Sequence, residues 1–416
     1  MNEMDKWIQE LLPRPKIDTF GIHHHPYYIF TFSFRQESAG FRVLYYLCHV
    51  LNECGYEAYV LDEKPVSGLR TPILTYEIIR RHKEEERHPI AVYNEAIVGN
   101  PLCGDIVVRW IMNKRGDAYD KEIGFSHDDL IYYWAAFYAK SKENITLLNL
   151  PTVDRSIFNT DGVNDEERSG FCYYAHKYLK FRNGQAQLPR EMTINGTSLC
   201  QDIKRTPIEI AEILKHSKVL YCYEPSAIII EAALCGCLTV IVKTDYLNGF
   251  NMKEITDITQ IAEDCIDYNF IPSADIILST SVDMEKAMWE SVGLFISQTQ
   301  NAAQDYKPVQ SEENSFTSFC KKHNDNLYVY GTGDVSWNCH LLMNLWNLHI
   351  KGFIVSDNYT KSDTPKKTHF GLPVFSLSEI EDQKDACGLI LAMIVPNQNE
   401  VIKMLDRCGF KNYMRY

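Results

Sequence analysis

The chain of 416 residues carries 55 acidic side chains against 42 Lys and Arg, a formal net charge of −13. That balance excludes a nucleic-acid binder, which needs a basic surface to neutralise phosphates, and leaves at most peripheral contact with an anionic membrane. No stretch approaches the ~18 uninterrupted apolar residues that a membrane span requires.

An apolar fraction of 45% is enough for sizeable cores, and the length favours two or three domains. The opening MNEMDKWIQELLPRPK lacks a basic segment followed by a long apolar core, so no secretory signal is expected. The thirteen cysteines then read as reduced, mostly buried thiols of a cytoplasmic protein. Residues 325–416 hold 10 Asp and Glu against 9 Lys and Arg, a net of −1, so the excess of acid lies before them. A boundary is expected there.

In chain order, Tyr28–Phe34 is an aromatic strand and Arg35–Gly40 a loop. A helix follows with apolar residues at Val43, Leu44, Leu47, Val50 and Leu51, one buried face at helical spacing. Gly55 ends it, and Tyr56–Asp62 is the next strand. The charged run Arg80–Arg87 reads as a solvated helix face. Pro89–Tyr93 is a strand leading into Asn94-Glu95, followed by the turn Gly99-Asn100-Pro101 and an amphipathic Ile106–Met112. Asp129–Tyr138 and Ile145–Leu150 close this half.

From Asp154 to Arg168 the composition is that of a linker. Gly170–Tyr178 then reads as a strand ending in His176-Lys177. Thr206 caps a helix that runs from Pro207 through Leu214. Val219–Tyr223 is a short strand, Glu224-Pro225-Ser226 breaks it with Ser226 placed as an N-cap, and a helix follows. Gly236 ends that helix, and Leu238–Val242 reads as a strand buried on both faces. Ile255–Tyr268 and Ser281–Gln300 are helical in composition, and Asn301–Asn326 is polar. A further strand–turn–helix unit begins with Leu327–Tyr330, Gly331-Thr332-Gly333 and Val335–His349. Ile350–Ser356 is its second strand, with Asp357 at the end. Gly388–Val395 and Asn397–Cys408 add another strand and helix.

Strands alternating with helices predict doubly wound α/β domains, which bind ligands at the carboxyl ends of their strands. In the second half those ends carry Lys177 and the segment Glu224–Glu231. Glu231 is the one charge between Glu224 and Lys243, set among Ile228, Ile229, Ile230, Ala232 and Ala233. An ionised carboxylate there costs several kcal/mol unless it is given hydrogen bonds. Either the fold supplies a partner, or the site awaits a ligand rich in hydroxyl groups such as a ribose diol. The helix start near Ser226 offers donors to a diphosphate, and Lys177 and Arg205 offer countercharge. The plain alternative pairs both cations with surface glutamates.

Other clusters carry less. His23-His24-His25 lacks metal-ligand spacing, Cys235-Gly236-Cys237 reads as small buried residues, and no metal site is expected. Gly331-x-Gly333 lacks the third glycine of a dinucleotide fingerprint, although Asp357 stands where a ribose-binding acid would.

The succession of Arg205, Ala211-Glu212-Ile213, Tyr221–Glu224 and Glu231–Cys237 resembles the donor half of GT-B glycosyltransferases, and is most similar to bacterial enzymes of surface-polysaccharide synthesis. Ser38–Arg42, Val92–Glu95, Gly99–Leu102, Val108–Trp110 and Asn113-Lys114 resemble segments of their first half. The likeness covers about residues 20–300. It implies two facing Rossmann-like domains, 1–165 on the acceptor side and 166–310 for the nucleotide-sugar. Residues 325–416 form a third, Rossmann-like accessory domain, for which Gly331 and Gly333 are the candidate nucleotide-binding residues.

By that likeness Glu231 holds the ribose, Lys177 the diphosphate, and Glu224 with the loop behind it the sugar. The expected activity is transfer of a sugar from a nucleotide-diphosphate donor, a co-substrate rather than a cofactor, to a glycan or lipid-linked acceptor. No metal is implied. Retaining members often space their two glutamates eight positions apart, whereas Glu224 and Glu231 are seven apart. An inverting enzyme would instead need a base from the first half, where Glu95 is best placed, against the plain reading of Glu95 as a capping or salt-bridged carboxylate. The alternatives are a non-catalytic nucleotide-sugar-binding or assembly protein, and an NAD-dependent oxidoreductase built on residues 325–416.

Overall fold

The computed structural model describes residues 24–35, 38–113, 125–139, 144–182, 188–200, 203–248, 260–262, 274–307, 315–357, 368–393 and 395–416. Three mostly parallel sheets organise them, so the mixed α/β class read from the sequence holds. The first sheet comprises β1 (Tyr27–Ile29), β2 (Ala58–Val60), β3 (Ile90–Asn94), β4 (Ile106–Ile111) and β5 (Leu130–Tyr133), in the order β2-β1-β3-β4-β5. The second holds β6 (Phe171–Tyr174), β7 (Thr197–Ser198), β8 (Val219–Cys222), β9 (Leu238–Val242) and β10 (Gln260–Ala262), in the order β7-β6-β8-β9-β10.

These two orders are the same doubly wound pattern, with the chain reversing direction between β1 and β3 and between β6 and β8. The third sheet runs β13-β14-β12-β11-β15-β16, from β11 (Leu327–Tyr330), β12 (Gly352–Val355), β13 (Thr368–His369), β14 (Leu372–Ser376), β15 (Gly388–Leu391) and β16 (Tyr413–Arg415). Only β13 pairs antiparallel there, and the reversal lies between β11 and β15.

The helices are α1 (Ala39–Glu53), α2 (Tyr76–Glu84), α3 (His176–Phe181), α4 (Arg190–Asn195), α5 (Pro207–His216), α6 (Ile228–Leu234), α7 (Ala274–Gln304), α8 (Ser315–Lys322), α9 (Asp334–Leu345) and α10 (Val395–Cys408). The apolar positions read from α1 are all buried, and Gly55, at φ +88°, follows in the left-handed backbone that glycine adopts at least cost. Helix α5 opens on a full capping box, Thr206 with Glu209, and carries Pro207 in its first turn.

By compactness the chain divides into two units. One contains residues 35–43 and 133–294, the other residues 24–34, 44–132 and 295–416. In the second unit the third sheet is packed with the first. Tyr416 is buried against Phe30 and Phe316, at ring separations of 6.0 Å each. Trp346 Nε1 donates to the Pro101 carbonyl at 3.0 Å, and Asn338 Nδ2 donates to the Thr31 carbonyl.

Several local expectations change. The strand read over Gly170–Tyr178 stops at Tyr174, and His176-Lys177 opens α3, because the first turn of that helix finds an acceptor in Glu224. Ser226 is not an N-cap: α6 starts at Ile228 with Ala227 preceding it, and the Ser226 side chain turns to the Tyr174 phenol. The polar stretch 301–326 contains α8, whose Phe316 and Cys320 are buried one turn apart.

The charged run Arg80–Arg87 is not wholly solvated either. His82 and Arg87 are buried, and Arg87 Nη1 and His82 Nε2 meet the Glu57 carboxylate at 2.6 and 3.1 Å. Of Ile255–Tyr268 the described residues include only Gln260–Ala262, which form β10; the remainder lies outside them. No disulfide joins the described cysteines, and most of them are buried.

Candidate functional site

The reversal point of the second sheet brings the carboxyl ends of β6 and β8 side by side, with Tyr174 paired to Cys222. Both chains turn out of the sheet there. The β6 chain enters α3, whose second residue is the half-buried Lys177, and the β8 chain runs through Glu224 and Ser226 into α6, which carries Glu231.

Glu224 is completely buried, and its Oε2 accepts from the Tyr178 backbone N–H at 2.6 Å. Tyr178 is the third residue of α3, so Glu224 satisfies one of the donors that a helix start leaves open. The Glu224 carbonyl also accepts from the Cys222 thiol at 2.9 Å. With no accessible surface, its carboxylate presents nothing to a ligand in this arrangement. Burial of the Tyr174 phenol, and after it the negative charge of Glu224, push that phenol far above its ordinary pKa.

Glu231 is different. It is 9% exposed and packed on a helix whose neighbours Ile228, Ile229, Ala232 and Ala233 are all buried. None of the described residues donates a hydrogen bond to its carboxylate. Burial raises its pKa to about 7, opposed by the positive charge of Arg42.

Arg42, in the first turn of α1 and within the same compact unit, is itself 5% exposed and donates from Nη2 to the Thr152 carbonyl at 2.8 Å. Two residues further on, the buried Asp154 accepts from the Ser156 N–H and hydroxyl, at 2.9 and 2.7 Å through one oxygen. Sequence reasoning placed Arg42 in a first-half motif without joining it to Glu231. The available signal was a lone cation in an apolar helix, with no other charge from Ala39 to Val50.

Arg205 is half-buried one residue before the capping box of α5, and it helps hold the Glu209 carboxyl below its usual range. The largest causes there are the backbone and hydroxyl of Thr206.

Glu95 follows β3 at the reversal point of the first sheet. It is buried, and its Oε2 accepts from the Met112 N–H at 3.0 Å.

Gly331 stands at the third reversal point. Its φ of +116° and the Ala392 carbonyl, 2.9 Å from where a Cβ would sit, account for the glycine by backbone packing. Gly333 precedes α9 in open space at φ −93°. Asp357 accepts from the Ser378 N–H and hydroxyl at 3.0 and 2.9 Å, which occupies one of its carboxylate oxygens.

Thus Lys177, Glu224, Glu95, Gly331 and Asp357 fall at or just beyond a strand's carboxyl end, Arg205 precedes α5 and Glu231 lies within α6, and one carboxylate among them, Glu231, is buried without a hydrogen bond from the described residues. These residues contain no group of three or more His, Cys, Asp or Glu able to hold a metal ion. No helix among them is long and apolar enough to cross a membrane.

No family model matches the chain, and no curated protein matches it. Among solved structures it is similar to a mutant of the Thermobaculum terrenum O-GlcNAc transferase, 12% identical over 72% of this chain and 68% of that one. The TM-score is 0.32.

Proposed function

We propose that this chain is a glycosyltransferase that moves a sugar from a nucleotide-diphosphate donor to a glycan or lipid-linked acceptor. The observation that supports it most is Glu231, a nearly buried carboxylate without a hydrogen bond from the described residues, beside the reversal point of a parallel sheet. A ribose diol supplies two hydroxyl donors to such a group, and its arrival offsets the desolvation that the carboxylate already bears. Arg42 adds positive charge that favours the ionised, accepting form. Lys177 and Arg205 are the cations for the diphosphate. Glu224, buried on the backbone of α3, positions the helix that carries Lys177.

In the reaction the bond from the sugar's anomeric carbon to the diphosphate oxygen breaks, and the diphosphate leaves with the electron pair. The acceptor's hydroxyl oxygen forms the new bond and gives its proton to a base. Glu95, at the carboxyl end of β3, is the candidate for that base. The surface-polysaccharide setting rests on the sequence resemblance alone.

One observation favours a second reading. Glu95 and Glu224 both spend a carboxylate oxygen on a backbone N–H, as they would in a nucleotide-sugar binder without catalysis. Release of nucleoside diphosphate from a panel of nucleotide sugars distinguishes the two. The transferase reading requires turnover that falls at least ~100-fold, roughly 3 kcal/mol, in Glu231→Ala. Tight binding of nucleotide sugars with no release in any acceptor mixture would replace it by the binder.

A further inference from the structure

In the other compact unit a cleft of about 630 Å³ opens beyond the carboxyl end of β2, between the start of α2 and the end of α9. That is the size of a small-molecule site, and parallel sheets place ligands at this end of their strands. Its apolar floor includes Leu61, Leu74 and Leu345, all buried. Two aromatic rings border it, Tyr76 at 51% exposure and the half-buried Trp346. The polar lining includes Asp62, Thr75, Glu77, Asn344 and Asn347, and none of the described lining residues is basic.

Several of these groups are already fixed. The Trp346 indole is held by the Pro101 carbonyl, and Asp62 takes the Tyr45 hydroxyl and the Glu63 N–H. Thr75 caps α2 and, with the helix backbone, holds the Glu77 carboxyl below its usual range, so Glu77 is ionised at neutral pH.

Two carboxylates, with no cation among the described lining residues, repel phosphates and other anions. Acceptor oxygens and amides beside aromatic faces suit a ligand that alternates hydroxyl groups with C–H surfaces. We propose that this cleft binds a neutral or amino-bearing saccharide. The proposal is independent of the transferase reading, because it uses none of the residues around Glu231.

Calorimetric titration of the full chain with chitotetraose, a glucosamine tetramer, tetragalacturonate and a tetralysine peptide tests it. The neutral or the amino tetramer should bind, and the uronate should not. Tyr76→Ala should weaken the saccharide roughly tenfold by removing an aromatic face. Glu77→Lys should weaken the amino tetramer most. Both positions are exposed, so the fold survives either change. Glu231→Gln should leave the affinity within about twofold.

The proposal is overturned if neither saccharide binds at millimolar concentration or if binding survives Tyr76→Ala. Stronger binding of the uronate or the peptide than of either saccharide would also overturn it, as would loss of saccharide binding in Glu231→Gln.

Discussion

Glu224 Oε2 accepts a hydrogen bond from the Tyr178 backbone N–H at 2.6 Å, joining the loop after β8 to the first turn of the helix after β6. The bond ties together the two chain segments that leave the sheet at its reversal point, and α3 starts where it does because of it. Glu224→Ala strands a half-buried N–H and should cost about 1–2 kcal/mol of stability. Glu224→Gln keeps an acceptor oxygen and should retain most of it. Urea unfolding of both variants beside the parent measures the difference; equal losses would remove the capping role.

Glu231 carries a pH signature. Its folded pKa of about 7 lies above the ordinary carboxylate value of 4.5, so the native state holds the extra proton between those limits. Stability from this group is therefore fully present below about pH 4.5 and declines as pH rises through 7. Glu231→Gln removes the penalty and should stabilise the chain at pH 8 by up to roughly 3 kcal/mol. Below about pH 4.5 the gain should vanish. Thermal melts of both proteins from pH 5 to 8 check it, and a difference that is constant across this range would refute the shift.

The glycines of the third sheet separate backbone packing from ligand approach. Gly331→Ala places a Cβ against the Ala392 carbonyl at a positive φ, and should cost about 2–3 kcal/mol. Gly333→Ala meets open space at an ordinary φ and should change stability by less than about 0.5 kcal/mol. Denaturation midpoints of the two single variants suffice, and equal effects would show that the close approach does not govern this turn.

In the same unit Glu57 receives hydrogen bonds from Tyr59 and Arg81, and meets Arg87 and the wholly buried His82. The His82 contact is the largest cause holding its carboxyl well below the usual range. A lowered folded pKa gives stability that is present above about pH 4.5 and lost as pH falls below it. At 38% side-chain exposure, solvent screening reduces the value. Glu57→Gln should cost about 1–2 kcal/mol at pH 7 and progressively less under acid conditions. Guanidinium unfolding at pH 7 and pH 3 reads this directly; a loss that grows toward low pH would contradict it.

The sequence was most legible where one short-range pattern decides the structure. Leu327–Tyr330 is a strand at the bounds its apolar run suggests, and Thr206 with Pro207 opens α5 through a complete capping box. It was least legible where the deciding partner is remote. Nothing near His176 announces a helix whose first donor is satisfied from 46 residues away.

Arg168 shows the same limit. It sits in a stretch with the composition of a linker, yet it is buried and donates to the carbonyls of Leu214, Ser217 and Cys235 at 3.0, 3.1 and 2.7 Å. In the candidate site, the isolation of Glu231 could be read from its apolar neighbours. Its proximity to Arg42 could not, because 189 positions separate them and only folding brings the two together.

The most direct measurement compares nucleoside diphosphates with their 2′-deoxy counterparts by calorimetry, in the parent and in Glu231→Gln at pH 8. A carboxylate that accepts the ribose diol should favour the ribonucleotide by roughly tenfold or more, about 1.4 kcal/mol, and the substitution should erase most of that preference. Equal affinity for ribo- and deoxynucleotides in the parent, or a preference that Glu231→Gln leaves intact, would contradict the role given to this residue.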